Sequence, residues 1–318
     1  MKILITGPAG FIGFNLSKRL LTDHRITVIG LDNFDSYYDV NLKKKRNQIL
    51  KKNKNYFFYK LDITNKKKVK KIFQKNNIDF VFHLAAQAGV RYSILNPQKY
   101  MDANYVGFFN IIECIKEFRI KRLFYASSSS VYGDNKNFPL NEKEKINPKN
   151  IYALSKKSNE EISKIYSNYY KINCTGLRFF TVYGEWGRPD MMMMKYIRSF
   201  YHKKIFNLFN FGKHTRDFTY VDDVIEILIR LIKKHKKLKV NDIFNICSNN
   251  PQKLKNILNF MKKNNILPKI KKVSLQQADI IKTHGDNKKI IKITGFKKFK
   301  NIEYGLTRTI KWYKNNRF

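Results

Sequence analysis

With 318 residues, 43% hydrophobic and 14% aromatic, the chain is long enough to bury a large core and too apolar to be disordered. No apolar run approaches the roughly 18 residues that a membrane span needs. The 64 Lys and Arg against 24 Asp and Glu give a formal charge of +40. That charge invites a polyanion-binding reading. The lysines are spread along the whole chain, however, as at Lys43-Lys44-Lys45, Lys66-Lys67-Lys68, Lys233-Lys234 and Lys271-Lys272. Arginine is scarce beside lysine, while Asn and Ile are abundant, a pattern of compositional drift. Neither a specific nucleic acid nor a membrane is expected as partner. Cys114, Cys174 and Cys247 are odd in number and show no metal-ligand spacing, and a strand-like run begins at Lys2. Reduced thiols in a cytoplasmic protein without a signal peptide are the expectation.

In chain order, short apolar runs alternate with amphipathic ones. Lys2–Thr6, Ile26–Leu31, Tyr56–Leu61, Phe80–Leu84, Arg122–Ala126 and Thr175–Phe180 are predicted as buried strands. Ile12–Leu21, Lys66–Lys75, Tyr100–Phe118 and Asn150–Tyr170 are predicted as helices. This alternation predicts an α/β fold, a Rossmann-type doubly wound parallel sheet. Beyond about residue 180 the pattern changes. Helices are predicted at Met191–His202, Asp222–Lys236, after Pro251 and at Ile302–Tyr313, with short strands at Ile205–Phe209 and Asp242–Cys247. A domain over 1–180 and a smaller α+β lobe over 181–318, with interleaved segments, are expected. Met191-Met192-Met193-Met194 is read as core or pocket lining, and no metal site is expected.

Gly7-Pro8-Ala9-Gly10-Phe11-Ile12-Gly13 lies between the first strand and the first helix. Glycines there permit a tight turn and let a pyrophosphate approach the helix N-terminus. The Gly-x-x-Gly-x-x-Gly spacing is one residue wider at its first gap than the dinucleotide fingerprint. Asp32 ends the second strand, where a carboxylate binds the ribose hydroxyls of NAD and repels the 2′-phosphate of NADP. Asp62-Ile63 ends the third strand, where an adenine edge would lie. Ala85-Ala86 end the fourth, small enough for close approach of a cofactor. His83 is read as a core histidine.

Tyr152 and Lys156 are four residues apart, on one face of a helix. A tyrosine beside an ammonium loses its proton more easily than a free phenol and becomes a general base for an alcohol. The run Ser127-Ser128-Ser129-Ser130 precedes them, and neither Ser129 nor Ser130 is an acid.

With these residues the chain resembles the extended short-chain dehydrogenase/reductase family, and within it the UDP-glucuronate 4-epimerases. General signals are the glycine turn, His83-Leu84-Ala85-Ala86 and Tyr152-x-x-x-Lys156. More specific are Leu31-Asp32-Asn33-Phe34 with Tyr37-Tyr38-Asp39, and Ala86 to Ser93. The most specific are Gly176 to Gly184, Trp186 to Met191 and Arg216 to Asp223. The resemblance implies tightly held NAD and reversible C4 epimerisation of UDP-glucuronate to UDP-galacturonate through a 4-keto sugar. It implies a catalytic Tyr152, Lys156 and Ser128, with Lys156 and the positive nicotinamide ring together depressing the Tyr152 pKa. Gly7, Gly10, Phe11, Ile12, Gly13, Asp32, Asn33, Asp62, Ile63, Leu84, Ala85, Ala86, Asn104, Tyr152, Lys156 and Phe179 are implied at the cofactor. Arg91, Ser128, Ser129, Ser130, Thr181, Arg188, Arg216 and Asp279 are implied at the UDP-sugar, with Ser129, Ser130 and Thr181 on its carboxylate and Arg216 on its diphosphate. A homodimer through paired helices is also implied.

The chain departs from the family at Gln276-Gln277-Ala278-Asp279 and Thr283-His284-Gly285-Asp286, in the nucleotide loop, and at Pro8. Related dehydratases carry Asp-Glu, and decarboxylases a Glu, where this chain has Ser129-Ser130, so epimerisation is favoured over elimination. A UDP-glucose/galactose 4-epimerase is the runner-up. A non-catalytic NAD- or polyanion-binding protein is the remote alternative.

Overall fold

The computed structural model describes residues 1–276 and 279–317. Among the described residues twelve strands are formed: β1 Lys2–Thr6, β2 Thr27–Asp32, β3 Tyr56–Lys60, β4 Phe80–His83, β5 Arg122–Ser128, β6 Cys174–Phe179, β7 Thr181–Tyr183, β8 Phe206–Phe209, β9 Thr215–Tyr220, β10 Asn241–Ile246, β11 Pro251–Lys253 and β12 Ile270–Val273. Seven of them make one parallel sheet in the order β10-β6-β5-β4-β1-β2-β3. Its inner strands read as unbroken apolar runs because helices cover both faces. All four residues of β4 and all six of β6 are buried. The chain order reverses between β1 and β4, so the crevice beyond their carboxyl ends is where such a sheet takes a ligand.

The seventh strand comes from far along the chain. β10 pairs with β6 from Asn241–Cys174 to Ile246–Phe179, so part of the segment after residue 180 belongs to the main sheet. The remaining strands make a three-stranded sheet, β11-β9-β7, and the parallel pair β12-β8. Both stand beside the crevice.

One expectation needs correction, and one helix was not anticipated. The predicted helix Tyr100–Phe118 is broken: a short helix Pro97–Tyr100 runs into a π turn, Met101–Val106, and only then into an α-helix, Gly107–Glu117. The lysine-rich stretch after Asp39 forms the helix Val40–Lys51, with Asp39 accepting from the Asn41 amide at 2.8 Å. Its Lys43, Arg46 and Asn47 are buried. A run of three lysines and an arginine reads as a solvated face, but here only part of it is.

Under β5 and β6 lies a buried ion pair. Arg178 donates from Nε and Nη2 to the two Glu160 oxygens at 2.9 and 2.7 Å, with both side chains 4% exposed. Ser127 also donates to Glu160, and Arg178 Nη1 donates to the Tyr132 hydroxyl, which donates to Asn245. This joins the serine run, the helix Ile151–Tyr170 and β10. Glu160→Gln leaves the guanidinium buried without its counter-charge. A loss of about 3–5 kcal/mol is expected, read as a lower urea midpoint. An unchanged midpoint would show the pair to be dispensable.

Candidate active site

Gly7 closes the turn after β1 with φ +74°, and a Cβ there would sit 2.9 Å from the Ala85 nitrogen. A Cβ on Gly13 would meet the Gly7 carbonyl oxygen at 2.1 Å. Only hydrogen fits at either place. The helix Phe11–Leu20 that follows has Gly10 at its N-cap, no side chain capping it and no acid in its first turn. Its amides are left for an anion. The turn is anchored to β4: the Ala85 amide donates to Thr6 Oγ1 at 3.1 Å, and Thr6 Oγ1 lies 2.9 Å from His83 Nδ1. Burial, followed by the Lys156 charge, drives the His83 pKa down to about 3. His83 is therefore a neutral core residue.

Asp32 accepts from the Ala9 amide at 3.0 Å and the Phe34 amide at 2.9 Å. Burial still raises its pKa, against the charges of Lys43 and Arg46. Asp62 accepts from Asn33 Nδ2 at 2.7 Å, which joins the ends of β2 and β3.

The helix Ile151–Tyr170 is capped by Asn150, whose side chain accepts from the Ala153 amide at 2.9 Å. Its first turn presents Tyr152 and Lys156 to the same cleft as Ser128, Ser129 and Ser130. Burial raises the Tyr152 pKa, while the Ser128 hydroxyl and the Arg188 charge pull the other way. Lys156 is 2% exposed, and burial lowers its pKa to about 8. In the protein without its cofactor burial outweighs the Ser128 and Arg188 influences, and the net shift of Tyr152 is upward.

One cleft of about 990 Å³ is lined by every site residue expected from the sequence except Asn104. Thus Gly7, Gly10, Phe11, Ile12, Gly13, Asp32, Asn33, Asp62, Ile63, Leu84, Ala85, Ala86 and Phe179 share it with Tyr152, Lys156 and Ser128 to Ser130. Thr181, Arg91, Arg188, Arg216 and Asp279 line it as well, as do all four methionines of the 191–194 run. Asn104 stands behind the wall, 1% exposed. Its Oδ1 accepts from the Gln87 amide at 2.8 Å, and its Nδ2 donates to Ser155 Oγ at 2.9 Å and the Gln87 carbonyl at 3.1 Å. Ser155 in turn donates to the Tyr152 carbonyl at 2.8 Å. The π turn thus aims an amide that fastens the Tyr152 helix to the end of β4.

The sequence reading missed other parts of the site. Arg46, fully buried, donates to the Ala9 carbonyl and the Tyr38 hydroxyl at 2.8 and 2.9 Å, and also to the Trp186 carbonyl. It ties the glycine turn to the segment carrying Arg188. Arg188 is itself paired with Asp190, Nε to Oδ1 at 3.0 Å, and the Tyr37 hydroxyl donates to Asp190 at 3.1 Å. The Arg188 charge is therefore largely spent before any substrate arrives. Arg91 holds Asp279 with two bonds, at 3.1 and 2.7 Å. Arg216 donates to the Thr215 and Ile281 carbonyls at 3.0 and 2.9 Å, and burial lowers its pKa to about 10. Gln277 and Ala278 lie outside the described residues.

The NAD dependent epimerase/dehydratase family model matches residues 3–247. The chain belongs to that family. This NAD-dependent epimerase/dehydratase is 38% identical to the UDP-glucuronate 4-epimerase of Thermodesulfobacterium geofontis, over 98% of this chain and 96% of that one. It is 40% identical to protein CapI of Staphylococcus aureus, with 98% of each covered. The solved Bacillus cereus UDP-glucuronic acid 4-epimerase in complex with UDP-glucuronic acid and NAD superposes with a TM-score of 0.92 at 30% identity, over 99% of this chain and 100% of that one. The family's dinucleotide fits the residues present: the side-chain-free turn at Gly7 and Gly13, the uncapped helix start and the Asp32 carboxylate are the parts such a ligand needs.

Proposed function

We propose that the protein interconverts UDP-glucuronate and UDP-galacturonate by epimerisation at C4. The observation that carries this reading is the acid-free turn at Ser129-Ser130, set in the same cleft as Tyr152, Lys156 and Ser128. The UDP-glucuronate 4-epimerases among its relatives support the choice of sugar.

NAD held in this cleft would supply reversible hydride chemistry at C4. Tyr152 takes the proton of the sugar 4-hydroxyl and gives it back after the 4-keto sugar has presented its other face. Burial alone disfavours the phenolate, so positive charge must offset it. Lys156 is the buried cation on the same face, and Arg188 already acts in that sense. Ser128 stabilises the phenolate by hydrogen bonding. Gly7, Gly10, Phe11, Ile12, Gly13, Asp32, Asn33, Asp62, Ile63, Leu84, Ala85, Ala86 and Phe179 hold the cofactor, with Asn104 bracing the wall.

Ser129, Ser130 and Thr181 receive the sugar carboxylate by hydroxyl contacts. Asp190 already occupies Arg188. A carboxylate met by hydroxyls is not locked into a bidentate ion pair, so the ring can turn over. Arg91, Arg216 and Asp279 face the nucleotide. Neither Ser129 nor Ser130 can serve as the acid or base that dehydration demands near neutral pH.

A cytoplasmic location is part of this reading, supported by three buried free cysteines. No helix among the described residues is long and apolar enough to cross a membrane. A homodimer is supported by the apolar side chains Phe109, Ile165, Tyr169 and Tyr170, exposed on the helices Gly107–Glu117 and Ile151–Tyr170. Sedimentation equilibrium checks it.

The deciding measurement is product separation after incubation with UDP-glucuronate. UDP-galacturonate is expected without net change in NAD redox state. If only UDP-glucose is epimerised, the acidic-sugar assignment falls and the neutral-sugar epimerase takes its place.

A further inference from the structure

His214 precedes β9 and lines the cleft, with its side chain 9% exposed. Among the described residues its Nε2 is buried and has no hydrogen-bond partner. Leaving such an atom unpaired is costly, and native structures rarely do so without a purpose. The charged groups that face it are Arg216, Asp279 and Arg91. Asp279 is the nearest, with Oδ2 3.8 Å from Nε2, too far for a hydrogen bond.

The charges around this ring do not balance. Arg91 and Arg216 are two cations, and Asp279 is one anion already committed to Arg91 by two bonds. Arg216 spends Nη1 on two backbone carbonyls, which satisfies its geometry without neutralising it. The subsite carries one positive charge while His214 is neutral and two when it is protonated. A diphosphate bridging two esters carries two negative charges near neutral pH. One more proton in the subsite makes the match complete.

We propose that His214 is a substrate-binding residue that takes up a proton as the nucleotide diphosphate enters, becoming the third cation of that subsite. This rests on the UDP-sugar reading given above. In the free protein, burial and then the Arg216 charge hold the imidazole neutral. An incoming dianion reverses that balance, because opposite charge within a few ångströms favours the protonated ring. Binding and protonation are then reciprocally linked. Between the free and bound pKa values of His214, the dissociation constant rises by up to about tenfold per pH unit. The diphosphate diester has no proton of its own to exchange in that range.

The test uses NAD-loaded protein carrying Tyr152→Phe, so that UDP-glucuronate binds without turnover. Calorimetric titration near pH 7 in two buffers of different ionisation enthalpy counts the protons taken up. Roughly half to one proton per site is expected, and His214→Gln in the same background should abolish it and flatten the pH dependence of binding. His214→Asn gives a second reading should the glutamine variant fold poorly. Normal binding with no proton uptake overturns the proposal alone, as does uptake that survives removal of the histidine. If UDP-glucuronate binds none of these proteins, the inference falls together with the functional reading beneath it.

Discussion

Tyr152→Phe is expected to lower turnover by roughly two to four orders of magnitude, the range that a positioned acid–base group contributes. Substrate binding and the urea midpoint should stay close to wild type. The reason lies in the position of the hydroxyl. It opens on the cleft, and its ionisation is disfavoured by burial but aided by Ser128 and Arg188, which makes it the group whose proton the cleft is arranged to move. The ring itself packs against Tyr100, with centroids 6.2 Å apart at 76°, and phenylalanine keeps that contact. Helix position is kept as well, because Ser155 and Asn104 hold the backbone there rather than the phenol. Turnover within tenfold of wild type would remove Tyr152 from the role of base.

Lys156→Met is expected to stabilise the cofactor-free protein while destroying its activity. Burial lowers this ammonium from 10.5 to about 8. Holding it charged at neutral pH therefore costs on the order of 3 kcal/mol. The sign follows from proton counting. Below about pH 8 the lysine is charged in both folded and unfolded states, and the folded state bears the whole cost. As pH rises toward 10.5 the folded state is already neutral, and the cost fades. Methionine fills the space of the aliphatic stem without the charge, so a gain of about 1–3 kcal/mol is expected at pH 7 and none near pH 10.5. Urea melts of cofactor-stripped protein at both pH values give the comparison. A variant less stable than wild type at pH 7 would show that the ammonium is better compensated than its surroundings indicate. Such a residue is kept for chemistry at the expense of stability.

Much of the site is legible in the sequence because its residues sit where strands end. Gly7, Asp32, Asp62 and Ala85 each follow an apolar run whose stop is sharp, and a parallel sheet brings those stops to one edge. Tyr152 and Lys156 are legible because helix geometry puts residues four apart together. Other parts were hidden by the same rules. Asn104 is implied by the resemblance, but the π turn that carries it is not, because apolar periodicity carries no sign of a widened turn inside an amphipathic stretch. Arg46 and Lys43 belong to a basic run that reads as solvent-facing. Yet Arg46 reaches backbone carbonyls of two distant segments, and Lys43 donates to the Asp35 carbonyl at 2.6 Å and lies 4.2 Å from the Tyr38 ring centroid. His214 lies two residues before Arg216 but outside the motif that begins there. Its meaning comes from Asp279 and Arg91, which only the fold brings near. Arg178 shows the converse: it lies in one of the most specific motifs of the chain, but its guanidinium serves a buried ion pair beneath the cleft.

The origin of β10 bears on how the protein is made. Peptide synthesis proceeds from the N-terminus, and β6 cannot find its outer neighbour until residue 246 has left the ribosome. Until then the nascent chain presents an apolar strand with a free row of amides and carbonyls, the kind of edge that recruits another chain. The early segment is thus obliged to wait for about three quarters of the polypeptide before its sheet is sealed.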